Sequence, residues 1–262
     1  MSVLEAILLG LVQGLTEFLP VSSSGHLVMG QTLLGIEIPG VAFEVGVHVA
    51  TLVSVLVVYR NRIGRLVAGA VRRESGAWRY IGLLVLATIP AGVLGLLGRD
   101  FVEGLFEVPE AVGAALLVTG TFLWTSRRAL AREPDGRPDM RIALLVGLAQ
   151  ACALVPGISR SGATVVAGLW LGMSVREAAA FSFLMAIPAI LGAAILDLPA
   201  LADGGAGVGW TGLMAGSVVA GLTGILAIRT FVRLLERKAF HRFAPYCWGV
   251  GGLFLLYLLF VR

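Results

Sequence analysis

The sequence predicts an all-α polytopic membrane protein with six transmembrane helices, two re-entrant helix-loop-helix hairpins and an inverted-topology repeat. Of the 262 residues, 58% are hydrophobic and 14% are charged, whereas soluble domains average about 25% charged. Six apolar segments are long enough to cross a bilayer, and two further apolar stretches are interrupted by proline and serine. No soluble domain fits, so residues 1–262 are treated as one membrane domain.

The predicted crossings are uninterrupted apolar segments close to the ~17–25 residues that a spanning helix needs. They are placed at residues 43–59, 79–98, 111–126, 179–197, 210–228 and 245–261.

Two apolar stretches do not fit this scheme. Residues 3–35 are interrupted by Pro20 and a serine run, and residues 142–173 by Pro156 and a Ser-Arg-Ser run. Each half is too short to cross a bilayer. We therefore predict two re-entrant hairpins whose irregular tips are buried in protein or face water.

The basic residues predict the orientation. Of the 20 lysines and arginines, 16 lie in three connections, residues 60–79, 127–141 and 229–242. The positive-inside rule places these connections in the cytoplasm. Counting crossings then puts the N-terminus and the first hairpin on the outer side and the second hairpin on the inner side. The net charge of +4 reflects these loops, and we expect no nucleic-acid partner.

A weak internal repeat predicts the same arrangement. The Gly-Leu-x-Gln pattern of residues 10–13 and the Ser-x-Ser-Gly pattern of residues 22–25 both recur 137 residues later. The two halves, residues 1–130 and 141–262, each contain one hairpin and three crossings. Because three is odd, the halves have opposite orientations, and a site is expected between them.

Arg160 is the most informative single residue. A guanidinium at membrane depth costs at least ~2.5 kcal/mol, and its planar fork suits bidentate contacts with phosphate. Ser159, Ser161 and Thr164 surround it with hydroxyl donors. An arginine that only extends to the interface is the alternative, which is weaker because Arg160 lies well inside its segment.

The first hairpin tip carries the parts of an acid/base pair or an activated nucleophile. Gln13 and Glu17 lie one helical turn apart, and His26 follows the break. Between them is a row of candidate phosphate-binding or nucleophilic hydroxyls, Ser22, Ser23 and Ser24. The alternative without chemistry is that Ser22 caps a helix and His26 bonds a carbonyl group.

Glu44 and His48 lie one turn apart at the start of the first crossing. We expect them to pair with each other, since two residues are a weak metal motif. Support of His26 is the other role considered for them.

The two tips together resemble those of the bacterial undecaprenyl-pyrophosphate phosphatase family of the bacitracin-resistance type. Its first element, Glu- or Gln-x-x-x-Glu, is matched from Gln13 to Glu17 and is followed by the serine turn and histidine of residues 20–26. Its second element, Pro-Gly-x-Ser-Arg-Ser-x-x-Thr, is matched in full by residues 156–164. Position 13 is glutamine where many members have glutamate, so a carboxylate there is not essential to this chain.

The resemblance implies an enzyme that removes the terminal phosphate from the C55 lipid pyrophosphate and so regenerates the lipid carrier for cell-wall precursors. It implies a multi-pass protein of the bacterial plasma membrane with a site open to the outer side. It also implies a divalent cation, Mg²⁺ or Ca²⁺, with Glu17 as a candidate ligand. The expected partners are the prenyl pyrophosphate and the bilayer, and a homodimer is left open.

Residue roles follow from the resemblance as hypotheses. Arg160 clamps the transferred phosphoryl group, and either Ser23 or His26 is the nucleophile. If Ser23 attacks, His26 is its base; if His26 attacks, Ser23 positions the phosphate. Glu17 orients His26 or holds the metal, and Gln13 is a neutral hydrogen-bonding partner.

A transporter or flippase of the lipid phosphate is the main alternative, because inverted repeats with broken helices are typical of secondary transporters. The combination of Glu17, Ser23 and His26 favours an enzyme, since a carrier has less need of it. An anion channel is less favoured, because the sequence has no evident ring of pore-lining charges.

Overall fold

The computed structural model describes residues 2–34, 40–196 and 209–261, and its regular elements there are helices with no strand. In chain order they are α1 (Val3–Phe18), α2 (Ser23–Leu34), α3 (Gly40–Val58), α4 (Arg60–Val71), α5 (Ser75–Leu97), α6 (Arg99–Phe106), α7 (Pro109–Ala131), α8 (Met140–Cys152), α9 (Arg160–Trp170), α10 (Val175–Leu196), α11 (Trp210–Glu236) and α12 (Phe243–Val261), with a 3-10 turn at Phe240–Arg242 before the last helix. The all-α prediction is confirmed.

Four helical segments are long and apolar enough to cross a membrane. They are Ser75–Leu97, Val175–Ile195, Trp210–Glu236 and Phe240–Val261. Their outward faces are apolar, with Leu97, Trp210 and Phe260 largely exposed, as suits contact with lipid. The chain is therefore a multi-pass membrane protein. The other two predicted crossings, residues 43–59 and 111–126, overlap the helices α3 and α7.

Both predicted interruptions are present as breaks between helices. Helix α1 ends at Phe18 and α2 begins at Ser23, while α8 ends at Cys152 and α9 begins at Arg160. Proline lacks the N–H that would continue a helix, which explains the position of Pro20 in the first break.

The two halves of the chain pack against each other through glycines. A Cβ at Gly10 of α1 would overlap the backbone of Gly216 in α11, and a Cβ at Gly147 of α8 would overlap the backbone of Ala87 in α5. Small residues allow this close approach of helices. Because Gly10 and Gly147 are related by the 137-residue offset, each half contributes the same kind of contact to the other.

A chain of aromatic side chains supports the end of α1. The ring of Phe18 lies 5.7 Å from that of Phe183, which lies 4.9 Å from Phe231, which in turn lies 4.9 Å from Phe240. The rings meet edge to face, the arrangement that aromatic quadrupoles favour. Phe18 is fully buried, so the carboxylate of the preceding residue, Glu17, stands on a fixed helix end.

Ion pairs connect the three arginine-rich connections. Arg176 at the start of α10 pairs with Glu236 at the end of α11. Its neighbour Glu177 accepts from Arg62 at 2.6 Å, and Lys238 pairs with Glu133 at 2.8 Å. These contacts bring residues 60–79, 127–141 and 229–242 to the same end of the helical bundle.

Candidate active site

Glu17 is the centre of a polar cluster between the two helix breaks. Its Oε2 atom accepts hydrogen bonds from the Ser23 hydroxyl at 2.7 Å and from the Gln13 amide at 3.0 Å. Its Oε1 atom accepts from Arg160 Nη2 at 2.9 Å. The Glu17 side chain is only 8% exposed, so this carboxylate is held on both oxygens by groups from both breaks.

Arg160 is the first residue of α9. Among the described residues, it is the only charged side chain of the second break that contacts Glu17. Its Nη2 atom bonds Glu17, while its Nη1 atom is buried and finds no hydrogen-bond partner in the described ranges. A buried donor without a partner is costly. An anionic group beside Nη1 would satisfy it, which is what a phosphate oxygen offers.

Ser22 joins the two breaks through its backbone and its hydroxyl. Its φ of 68° lies in the left-handed region, which is uncommon for residues other than glycine. Its Oγ atom accepts from the backbone N–H of Gly25 at 3.3 Å and from that of Gly157, in the other break, at 3.1 Å. Ser24 Oγ lies 3.3 Å away. The turn therefore sets the direction in which Ser23 points.

The hydroxyls of the second break bond within that break and to the first break. Ser159 caps α9 by accepting from Gly162 N at 3.2 Å, and Ser161 donates to the Leu19 carbonyl at 3.4 Å. Thr164 donates to the carbonyl of Arg160 at 2.8 Å. The three side chains, Ser159, Ser161 and Thr164, are each 1% exposed. The sequence predicted them as phosphate donors, which stays a prediction; in the structure they bond to protein groups beside Arg160.

His26 lies away from the carboxylate. Its Nδ1 atom is 2.8 Å from the Ser22 carbonyl oxygen, and its Nε2 atom is 2.7 Å from the hydroxyl of Tyr246. The two rings are stacked with an interplanar angle of 3°. Both ring nitrogens therefore have partners other than Ser23 and Glu17, while Ser23 donates directly to Glu17. The roles of His26 as the base for Ser23, and of Glu17 as its orienting group, stay predictions, and this arrangement does not favour them.

Sequence reasoning missed Tyr246. It lies 220 residues from His26 in the chain. It belongs to an apolar helix, where no sequence motif marks it as a site residue. Only the packing of α12 against the first break brings the two side chains together.

His48 lies at the edge of the cluster, with Nε2 3.8 Å from Glu17 Oε2 and its side chain 34% exposed. The side chain of Glu44 lies outside the described part of the structure, so its predicted pairing with His48 stays a prediction.

The sequence matches known proteins over nearly its whole length. The sequence profile described as "Bacitracin resistance protein BacA" matches residues 6–253. The chain belongs to this family. It is 41% identical to the undecaprenyl-diphosphatase of Desulforapulum autotrophicum over 96% of each chain. It is also 41% identical to undecaprenyl-diphosphatase 1 of Bacillus cereus over 98% of each chain, and to the undecaprenyl-diphosphatase of Alkaliphilus metalliredigens over 99% of this chain and 100% of that one. The family resemblance predicted from the two tips is confirmed.

The oxygen ligands around Glu17 show whether the divalent cation expected from the family resemblance could bind there. No group of three His, Cys, Asp or Glu side chains lies close enough to hold a metal in the described part of the chain. Glu17 is accompanied by Gln13 Oε1, a buried acceptor that has no partner among the described residues. One carboxylate and one amide oxygen fit a magnesium ion that takes its remaining ligands from water and substrate phosphates.

Proposed function

We propose that this protein hydrolyses undecaprenyl pyrophosphate to undecaprenyl phosphate and inorganic phosphate, as the names of its relatives indicate for them. The observation that carries the proposal is the Ser23–Glu17–Arg160 cluster. It combines a nucleophile bonded to a carboxylate with a guanidinium whose second arm is without a partner among the described residues.

Ser23 is the nucleophile that this geometry favours over His26. Its hydroxyl already donates to Glu17 Oε2 at 2.7 Å, within the range expected for a general base and the proton it takes. As Ser23 Oγ forms a bond to the terminal phosphorus, its proton passes to Glu17. The bond from phosphorus to the bridging oxygen breaks, and undecaprenyl phosphate leaves with those electrons. Water then hydrolyses the phosphoserine and regenerates the hydroxyl, with Glu17 handling the protons of that step.

Arg160 stabilises the charge that develops on the transferred group. Its Nη1 atom donates to an equatorial phosphoryl oxygen, while Nη2 keeps its bond to Glu17. Such preorganised donors contribute most in a site shielded from water.

The cation belongs to the proposal as well. Glu17 and Gln13 Oε1 would hold it on the protein side, and when bound it would offset pyrophosphate charge. Ser24, which like Ser23 is partly exposed and lies beside Ser22, would bind phosphate oxygens.

The membrane arrangement is likewise proposed: six crossings, two re-entrant hairpins and inverted halves at residues 1–130 and 141–262. Two observations support it. The ion pairs gather the three basic connections at one end, and Gly10 and Gly147 make matching contacts with opposite halves. With the basic end in the cytoplasm of a bacterial plasma membrane, the N-terminus lies outside and the site opens to the outer side.

The test is inorganic phosphate release from C55 and C15 prenyl pyrophosphates by purified protein in detergent with Mg²⁺. Arg160→Ala is the test variant, and Arg176→Ala, at a side chain 84% exposed, is its matched control. We expect release by the wild type and the control, and a loss of about 10²-fold or more in Arg160→Ala. Absence of release from folded wild-type protein with every divalent ion tried would favour transport of the lipid phosphate instead.

A further inference from the structure

The turn that carries Ser23 is held from outside the cluster by two side chains in series. The His26 ring bonds the Ser22 carbonyl, and Tyr246 bonds the His26 ring. Ser22 is the left-handed residue of this turn. A residue with positive φ persists only where its surroundings hold it.

Chemistry assigns the donors along this series. A carbonyl oxygen only accepts, so the Ser22 carbonyl requires the proton on His26 Nδ1. In the neutral imidazole, Nε2 is then the acceptor, and the Tyr246 hydroxyl donates to it at 2.7 Å. Nε2, which has the lone pair, thus accepts from Tyr246 of α12, and Nδ1, which has the proton, donates to the Ser22 carbonyl of the turn.

From this geometry we infer that Tyr246 and His26 are positioning residues that act on Ser23 through the Ser22 turn. The inference rests on the proposed function, since it takes Ser23 as the nucleophile. Tyr246 fixes the plane of the imidazole by stacking and by its hydroxyl. The imidazole fixes the Ser22 carbonyl, and the turn aims the next residue, Ser23, at Glu17 Oε2.

Asparagine at position 26 separates positioning from imidazole chemistry. Its amide N–H can replace the Nδ1–H donor to the Ser22 carbonyl, but an amide is neither a nucleophile nor a base. We expect His26→Asn to keep kcat within about tenfold of the wild type. His26→Ala, which removes the side-chain donor and leaves only the backbone N–H of residue 26 on the Ser22 carbonyl, should lower kcat by about 10²-fold. In both variants KM should change little, because the imidazole is not assigned a contact with substrate.

Tyr246→Phe keeps the stacked ring and removes only the hydroxyl, and Tyr257→Phe on the same helix is the matched control. We expect kcat to fall about fivefold in Tyr246→Phe and to be unchanged in the control. When Tyr246→Phe is added to His26→Asn, no further loss is expected, because the ring nitrogen that Tyr246 binds is already gone.

A spectroscopic measurement is independent of activity. The chain has three histidines, so ¹⁵N-histidine labelling gives few signals. Tyr246→Phe should shift the Nε2 signal of His26 and leave the proton on Nδ1, whereas Tyr257→Phe should shift neither. Melting temperatures of all variants show whether each is folded.

The outcomes separate the two levels of the proposal. If Arg160→Ala abolishes activity, but a folded His26→Asn is as inactive as His26→Ala, the imidazole itself does chemistry and the positioning role is overturned. Wild-type kcat in Tyr246→Phe together with an unshifted Nε2 signal would remove Tyr246 from the site. If the wild type releases no phosphate, the proposed function fails, whereas the histidine signals still report on the bond to Tyr246.

Discussion

The two helix breaks share their capping bonds and differ in their chemistry. In the first, Ser22 Oγ accepts from Gly25 N at 3.3 Å and lies 3.3 Å from Ser24 Oγ. In the second, Ser159 Oγ accepts from Gly162 N at 3.2 Å and lies 3.3 Å from Ser161 Oγ. These residues correspond at the offset of 137, so the same hydroxyl arrangement starts a helix twice.

The residues that differ at this offset carry the charges. Leu154 stands where the first break has Glu17, Arg160 stands where it has Ser23, and Ala163 stands where it has His26. Each break is therefore chemically incomplete. The ion pair between Glu17 and Arg160 at 2.9 Å joins the carboxylate beside the first break to the guanidinium of the second. The serine caps that both breaks have in common form the turns, and the residues that differ between the breaks form the polar cluster.

The largest effect should come from substitution of Glu17, the carboxylate at the end of α1 next to the first break. Glu17→Gln removes the proton acceptor of Ser23 and leaves Arg160 without its counter-charge. We expect kcat to fall by about 10³-fold, within the range for loss of a general base. Steady-state phosphate release measures it, with Glu103→Gln, at a side chain 60% exposed, as the control. Activity of Glu17→Gln within tenfold of the wild type would assign the proton to another group.

Substitution of the glycines that make matching contacts between the two halves should have an intermediate effect. The quantity affected is the stability of the fold. Gly10→Ala and Gly147→Ala each place a methyl group against backbone of the opposite half, and overpacking of this kind costs about 1–3 kcal/mol. The melting temperature in detergent should fall in both variants. Gly92→Ala in α5 is the control, since a Cβ there meets no atom within 4 Å. A lowered melting temperature in only one of the pair would break the equivalence of the halves.

The smallest effect should come from the cap of the second break. Ser159→Ala removes the hydroxyl that accepts from Gly162 N, and loss of a helix N-cap costs about 1 kcal/mol. We expect a modestly lower melting temperature, with KM for the lipid pyrophosphate near that of the wild type, because the buried hydroxyl positions Arg160 without touching substrate. A large rise in KM at an unchanged melting temperature would restore Ser159 as a phosphate donor.

Composition and spacing were sufficient for the helical class, for the two breaks and for the residues that meet in the cluster. Pro20 and Pro156 lie in the breaks beside serine and glycine, whereas Pro90 and Pro188 lie inside α5 and α10, so the breaks were indicated by the combination. A buried arginine beside three hydroxyls indicates an anion. The sequence did not identify the bonding partners that the structure shows: the hydroxyls around Arg160 were assigned to phosphate and His26 to Ser23, whereas they bond to Leu19, Gly162, Ser22 and Tyr246. The residue type limits which hydrogen bonds a side chain can make. At each break, however, several neighbouring groups could serve as its partner, so the sequence does not say which one does.

By itself, the sequence determined that this is a multi-pass helical protein of the BacA family, and it selected Gln13, Glu17, Ser23 and Arg160, whose side chains lie together in the structure, because hydrophobic length, helix-breaking residues and motif spacing are local properties of the chain. Only the tertiary structure decided that Ser23 donates to Glu17, that the second-break hydroxyls are internal, and that Tyr246 holds His26. The bonds of Ser161 to Leu19 and of Tyr246 to His26 join segments more than 100 residues apart, and the bond of Ser23 to Glu17 depends on how the turn between α1 and α2 folds; packing of the helices sets these distances.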